Sequence, residues 1–228
     1  MRVLALDTAT PAASAAIVED RRILAECLLS GQKNHSERIL QIIDRLFDWT
    51  GIARETIDLI AVSVGPGSFT GLRVGISTAQ GLAFALDKPL AGVPTLEVVA
   101  SQATVRDGFV SPMVDARKQQ VYAALYRSRG GVLALVQPAT VLDPVVWVES
   151  LADPAILIGT GATIYFDTIA AASAAKGCVI ASDHLGVPRA STVAALAQER
   201  YVGSAGRPEL VSALYVRPPD AFISKAQK

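Results

Sequence analysis

Three clusters carry residues whose types and spacing could do chemistry. The first is Gly65-Pro66-Gly67-Ser68-Phe69-Thr70-Gly71, set between an apolar run (59–64) and a helical pattern (72–86). Two glycines around a proline force a tight, rigid turn. Ser68 or Thr70 can cap the helix by accepting a bond from its free N–H groups. A turn of this kind either cradles a phosphate or simply turns a corner, and the residues alone leave both readings open. The second cluster is Asp7-Thr8-Ala9-Thr10, after the first apolar run, and the third is Asp115-Ala116-Arg117-Lys118-Gln119. Each has the acidic turn of a phosphate-and-metal hairpin. Ala9 stands where a glycine would let backbone approach a phosphate, and the third cluster has no glycine at all. Asp7, Thr8 and Asp115 are therefore weak, vestigial cofactor-binding candidates, with plain turn aspartates as the competing reading.

The stricter phosphate patterns fail. GxxxxGK[ST] is not met by Gly65 or Gly67, and GxGxxG fails because glycine comes one place late, at Gly71. The histidines are His35 and His184, without an HxxxH or HExxH pair, so no metal site is expected. The serine-hydrolase elbow GxSxG is not met; Gly75-Ile76-Ser77-Thr78-Ala79 is a near miss inside a helical pattern. No catalytic residue and no cofactor are expected. Lys plus Arg and Asp plus Glu balance at 21 each, which argues against autonomous nucleic-acid binding through a basic face. Cys27 and Cys178 are far apart and read as free thiols of a reduced, cytoplasmic protein. Asp7 and Pro11 interrupt the N-terminal apolar stretch, which reads as a buried strand and not a signal peptide. No apolar run approaches the ~18 residues of a membrane span.

The elements that must position these clusters follow from periodicity and turn residues. Residues 2–6, 13–18 and 23–29 read as an antiparallel meander. A helix follows from about His35 to Thr50, with Asn34 or Ser36 as its cap and Gly51 as its stop. Its apolar residues, Ile39, Leu40, Ile42, Ile43, Leu46, Phe47 and Trp49, span about half its circumference, wider than the ~100° stripe one core requires. The excess faces either another chain or a second layer of the same chain. A strand at 57–64, the glycine turn and a helix to Leu86 come next. That helix carries two small-residue ridges at a spacing of four, Gly71-Gly75-Ala79 and Ser77-Gly81-Ala85. Such ridges let another backbone approach closely. A strand (90–93) and a helix (95–104) close a first lobe, 1–104. The second lobe, 105–228, opens with another meander (110–115, 120–127, 132–136) around Arg129-Gly130-Gly131. It continues with a helix at 144–151, a strand at 155–158, a helix at about 164–175, a short strand at 179–180, a helix capped by Ser191 or Thr192, and an extended tail. The order βββ-α-β-α, and a second half that opens alike, fit the α/β, two-lobed actin-like (ASKHA, ribonuclease-H-like) fold, each lobe a mixed sheet flanked by helices.

Asp7-Thr8-Ala9-Thr10, Asn34-His35-Ser36-Glu37, Gly65 to Gly75 (GPGSFTGLRVG), Gly81-Leu82-Ala83 and Val114-Asp115-Ala116-Arg117 closely resemble the bacterial TsaB (YeaZ) family. The resemblance covers the first lobe well and the second loosely. It implies a non-catalytic partner that binds and activates TsaD in forming N6-threonylcarbamoyladenosine at position 37 of ANN-decoding tRNAs. TsaE would join the larger complex, a homodimer would form in isolation, and tRNA would be met only through the complex. An actin-like ATPase or phosphotransferase is the alternative, and a peptidase the remotest one. The family's partner-binding bundle maps onto 35–50 and 70–86. The interface residues it implies are Ile39, Leu40, Ile43, Phe47, Leu72, Arg73, Gly75, Ile76 and Ala79, and Gly75→Leu is expected to block the complex while sparing the fold.

Overall fold

The computed structural model describes residues 1–30, 38–103, 107–201 and 211–216. Strands β1 (Arg2–Asp7), β2 (Ala13–Glu19) and β3 (Arg22–Leu29) form the expected antiparallel meander. Strand β4 (Leu59–Gly65) then pairs parallel with β1, and β5 (Leu90–Pro94) pairs parallel with β4, giving the order β3-β2-β1-β4-β5. The second sheet repeats this plan. Strands β6 (Gly108–Asp115), β7 (Val121–Arg129) and β8 (Val132–Leu142) form the meander, and β9 (Ala155–Ile158) and β10 (Val179–Ile180) add in parallel, giving β10-β9-β6-β7-β8. The duplication is therefore one of strand order and direction. Strand β8 runs to Leu142, beyond the expected end at 136. Pro138 falls in a register shift opposite Ala123 and Leu125, where its missing N–H removes no ladder bond.

Both faces of the first sheet are buried, so β1 reads as a continuous apolar run while its alternate residues serve different cores. Leu4 and Leu6, with Ala13, Ala15 and Ile17, pack under helices α1 (Ile39–Thr50) and α2 (Phe69–Leu86). Val3 and Ala5, with Ala16 and Val18, pack under α7 (Ala190–Tyr201). In the second sheet Met113, Val121 and Leu157 meet α4 (Pro144–Ser150), α5 (Thr160–Ile164) and α6 (Phe166–Ala175). Its other face, through Val110, Val114 and Ala124, meets Leu96, Val99 and Ala100 of α3 (Thr95–Ser101). The helix before residue 104 thus covers the second sheet, and the helix at 190–201 returns to cover the first.

Local chemistry explains the helix ends. Gly51 closes α1 with φ 64°, the left-handed conformation that glycine adopts without strain. Asn34 and Ser36, the expected caps of α1, lie outside the described residues. Asp143 caps α4 by accepting from the N–H groups of Val145 and Val146. The expected cap of α7 is corrected. The helix begins at Ala190, and Glu26 of β3 accepts from both the N–H and the hydroxyl of Ser191 (2.9 and 2.7 Å). A carboxylate from another strand supplies what a local hydroxyl was expected to supply. The helix expected at about 164–175 is α6, and a short helix, α5, precedes it across Tyr165.

Candidate functional site

The glycine turn serves the interior of the chain. Ser68 caps α2 by accepting from the Gly71 N–H at 3.2 Å. The Ser68 N–H donates to Ala9 O at 2.7 Å, and the Leu72 N–H to Ser68 O at 2.8 Å. The Thr8 hydroxyl donates to Gly71 O at 2.7 Å, in the interior. Glycine is required for this approach. A Cβ on Gly67 would lie 2.2 Å from Ala9 O, one on Gly71 2.0 Å from Thr8 O, and one on Gly75 2.2 Å from Thr8 Oγ1. The turn that could have cradled a phosphate is pressed against the β1–β2 turn, and its N–H groups at Ser68 and Gly71 are used within the chain.

Asp7, at the end of β1, is buried on the other face of the sheet: it pairs across the ladder with Ser14, whose hydroxyl accepts from the Ala190 N–H at the start of α7. One carboxylate oxygen accepts from the Ala9 N–H at 3.2 Å. The other has no hydrogen bond, nor does the buried Ser63 hydroxyl. Burial pushes the carboxyl up to about 7; the Ser63 hydroxyl, near it but outside hydrogen-bond geometry, and the bonded Ala9 N–H oppose this by favouring the anion. A carboxyl in this setting could take a proton near neutrality or meet a cation.

Asp115 sits differently, partly exposed at the β6–β7 turn. It accepts from the Tyr165 hydroxyl and from the Arg117 N–H, both at 3.0 Å, and its own N–H donates to Thr160 Oγ1 at 3.2 Å. Burial, then the hydrogen bond to Asp115, raises the Tyr165 phenol. Arg117, Lys118 and Gln119 all have positive φ, at 60, 52 and 58°. The turn keeps a left-handed shape without any glycine, a conformation that disfavours L residues by roughly 1–2 kcal/mol each. Among the described residues no cluster of three or more His, Cys, Asp or Glu gathers as a metal site.

The nine interface candidates do not form one surface. Ile39, Ile43, Phe47, Leu72, Ile76 and Ala79 are buried in the core between α1, α2 and the first sheet, and Gly75 is buried against Thr8. Leu40 and Arg73 are exposed. This corrects the implied set: the wide apolar arc of α1 is mostly core, as is the ridge Gly71-Gly75-Ala79. What faces solvent is the second ridge, Ser77-Gly81-Ala85, where a Cβ on Gly81 would meet nothing within 4 Å. Beside it Phe84 is 86% exposed, and α1 adds Trp49 at 65% and Leu40 at 52%. Phe84 and Trp49 were missed because an aromatic residue in an apolar helix gives no signal of which way it points. Arg73 lies with its guanidinium 4.0 Å from the Phe69 ring centre, and that ring packs 5.5 Å from Tyr215.

The segment 211–215 runs beside α2. The Leu214 N–H donates to Val64 O at 2.7 Å, and the Gln80 side-chain amide donates to Val211 O at 3.0 Å. Between this segment and α2 lies a groove of about 520 Å³.

The family described as "TsaD: tRNA N6-adenosine threonylcarbamoyltransferase" matches residues 22–227. The chain is 33% identical to the tRNA threonylcarbamoyladenosine biosynthesis protein TsaB of Bacillus subtilis, over 88% of each chain. It is 36% identical to the protein of that name in Escherichia coli, over 71% of this chain and 72% of the other. Among solved structures, YeaZ from Pseudomonas aeruginosa superposes with a TM-score of 0.79 at 29% identity, covering 94% of this chain and 99% of the other. Component A of (R)-2-hydroxyglutaryl-CoA dehydratase from Acidaminococcus fermentans shares the fold alone, with a TM-score of 0.53 at 10% identity over 89% of this chain and 99% of the other. The two mixed, helix-flanked sheets are those of a two-lobed actin-like fold.

Proposed function

The chain belongs to the TsaB (YeaZ) family, and from that premise we propose that it is a non-catalytic subunit that binds and activates TsaD. A role in tRNA threonylcarbamoyladenosine biosynthesis comes with the family. The finer reading is that the chain docks TsaD through α1 and α2 and so supports formation of N6-threonylcarbamoyladenosine at position 37 of ANN-decoding tRNAs. TsaE joins the larger complex, tRNA is met only through the complex, a homodimer forms in isolation, and the site of action is the cytoplasm. No described helix is long and apolar enough to cross a membrane. The proposed lobes are 1–104 and 105–228, with α3 packing on the second sheet and α7 on the first.

One observation carries the reading: the exposed stripe Ser77-Gly81-Ala85 on α2 with Phe84 beside it, while α1 exposes Leu40 on one flank and Trp49 on the other. Small residues let a partner helix approach, and exposed aromatic side chains supply the anchors that dominate interface energies. The stripe replaces the buried candidates Ile39, Ile43, Phe47, Leu72, Gly75, Ile76 and Ala79 as the docking face; Leu40 and Arg73 stay on it. The test is light scattering of this chain mixed with its own organism's TsaD. Wild type forms a heterodimer, and Phe84→Asp, whose site is open to solvent, stays folded but unbound. A Phe84→Asp chain that binds like wild type would sink the proposal.

A second reading, an actin-like ATPase or phosphotransferase, rests on the unpartnered oxygen of Asp7. Calorimetry with Mg-ATP separates the two. Micromolar binding abolished by Asp7→Asn favours the enzyme. Absence of binding at millimolar nucleotide favours the subunit.

A further inference from the structure

Helix α2 has 18 residues and one charged side chain, Arg73. That residue is exposed on an otherwise neutral helix. Its guanidinium stacks on Phe69, which leans on Tyr215. Stacking uses the face of the guanidinium and leaves its N–H fork free at the edge. Among the described residues no carboxylate pairs with it and no hydrogen bond holds it. The groove beside it is lined by neutral polar groups, Ser77, Gln80, Ser212 and Tyr215, with apolar residues between them and no acidic residue. Its walls are built: Gln80 and Val64 bond the backbone of the 211–215 segment, and a Cβ on Gly65 would lie 2.8 Å from Leu214 O. Ser77 belongs both to this groove and to the small-residue stripe, so the groove continues the docking face.

We propose that Arg73 and this groove form the specificity element of the α2 face, accepting an aspartate or glutamate side chain of the partner protein. The inference rests on the reading that α1 and α2 dock TsaD. A pre-oriented fork matches one carboxylate with two parallel N–H···O bonds. A nucleotide phosphate is the poorer occupant. It brings more than one negative charge to a single cation, and the neighbouring helix N-terminus already gives the Ser68 and Gly71 N–H groups to its own chain.

The test uses the full chain and TsaD in calorimetric titrations of wild type, Arg73→Lys, Arg73→Ala, Arg73→Glu and Phe84→Asp, each across a salt series. Folding is checked by circular dichroism; Arg73 is exposed, so its variants keep the fold. Arg73→Ala is expected to weaken binding about 10- to 100-fold, Arg73→Glu further, and Arg73→Lys less than either. The wild-type complex weakens with salt more steeply than Arg73→Ala. Changing the facing carboxylate of TsaD to arginine restores binding to Arg73→Glu. Two results overturn the proposal: Arg73→Glu binding TsaD within about threefold of wild type, or ATP or inorganic phosphate displacing TsaD from wild type but not from Arg73→Ala. If Phe84→Asp is blocked while Arg73→Glu binds, this inference fails and the docking reading stands. If Phe84→Asp binds as wild type does, the docking reading fails and takes this inference with it.

Discussion

Gly75 and Gly81 lie on the same helix, six residues apart, and their substitutions should act in opposite directions. A Cβ on Gly75 would sit 2.2 Å from Thr8 Oγ1, 3.5 Å from Thr8 Cβ and 3.7 Å from Val62 Cγ2. The Thr8 hydroxyl can retreat only by breaking its 2.7 Å bond to Gly71 O in the interior. Overpacking costs about 1–3 kcal/mol, and a buried polar group left unpaired costs about 1–3 kcal/mol more. Alanine returns about 1 kcal/mol of helix propensity. The net loss for Gly75→Ala is about 3 kcal/mol, which for a chain of this size lowers the melting temperature by about 6–12 °C. Gly81→Ala has the same propensity gain and no neighbour within 4 Å to oppose it. It should raise the melting temperature by about 2–4 °C. Gly75→Leu, expected from the sequence to block a complex and spare the fold, should instead unfold the chain. Gly81→Leu should fold and fail to bind TsaD. Thermal melts by circular dichroism and light scattering of the mixtures read all four variants. A Gly75→Ala chain that melts with or above wild type would show that α2 does not press on Thr8 as described.

Other perturbations test the interior. For Asp7, folding raises the carboxyl from 3.8 to about 7, so the folded state holds its proton more tightly. Its contribution is full below the unfolded value and is lost as pH rises through the folded one. Between pH 5 and 8 wild type should lose about 2–3 kcal/mol from this group. Asp7→Asn should lack that fall, and parallel denaturation profiles for the two chains over this range would refute the assignment. Glu26 runs the other way. Burial pushes its carboxyl up, but Arg189 and the N–H and hydroxyl of Ser191 outweigh burial and hold it below its usual value. Its contribution is present above pH ~4.5 and lost as pH falls through the folded value. Glu26→Gln should cost about 1–2 kcal/mol at pH 7 and less in acid, with amide exchange rising first in α7. Uniform exchange along the chain would show that Glu26 does not anchor that helix.

The sequence by itself determined the elements and the family. Apolar runs ended by Asp7, by Asp20-Arg21-Arg22 and by Gly65 set the first meander and β4, because alternation and turn residues are local properties. The stretch Gly65–Gly75 was legible as a rigid turn into a helix, and as the family's mark. Its job was not legible. A glycine reads the same whether it admits another protein's helix, as Gly81 does on the docking reading, or the chain's own Thr8, as Gly75 does. Direction around a helix is decided by what the sheet places beneath it. That turned Ile43, Phe47 and Leu72 inward and left Phe84 and Trp49 outside. Long-range contacts were equally out of reach. Glu26 caps α7 through Ser191, 165 residues further on, and Asp7 lies on the face of the sheet that α7 returns to cover. Local sequence could name the elements because their forces act over a few residues. Only the tertiary structure could give their faces, because burial is a property of what arrives from elsewhere in the chain.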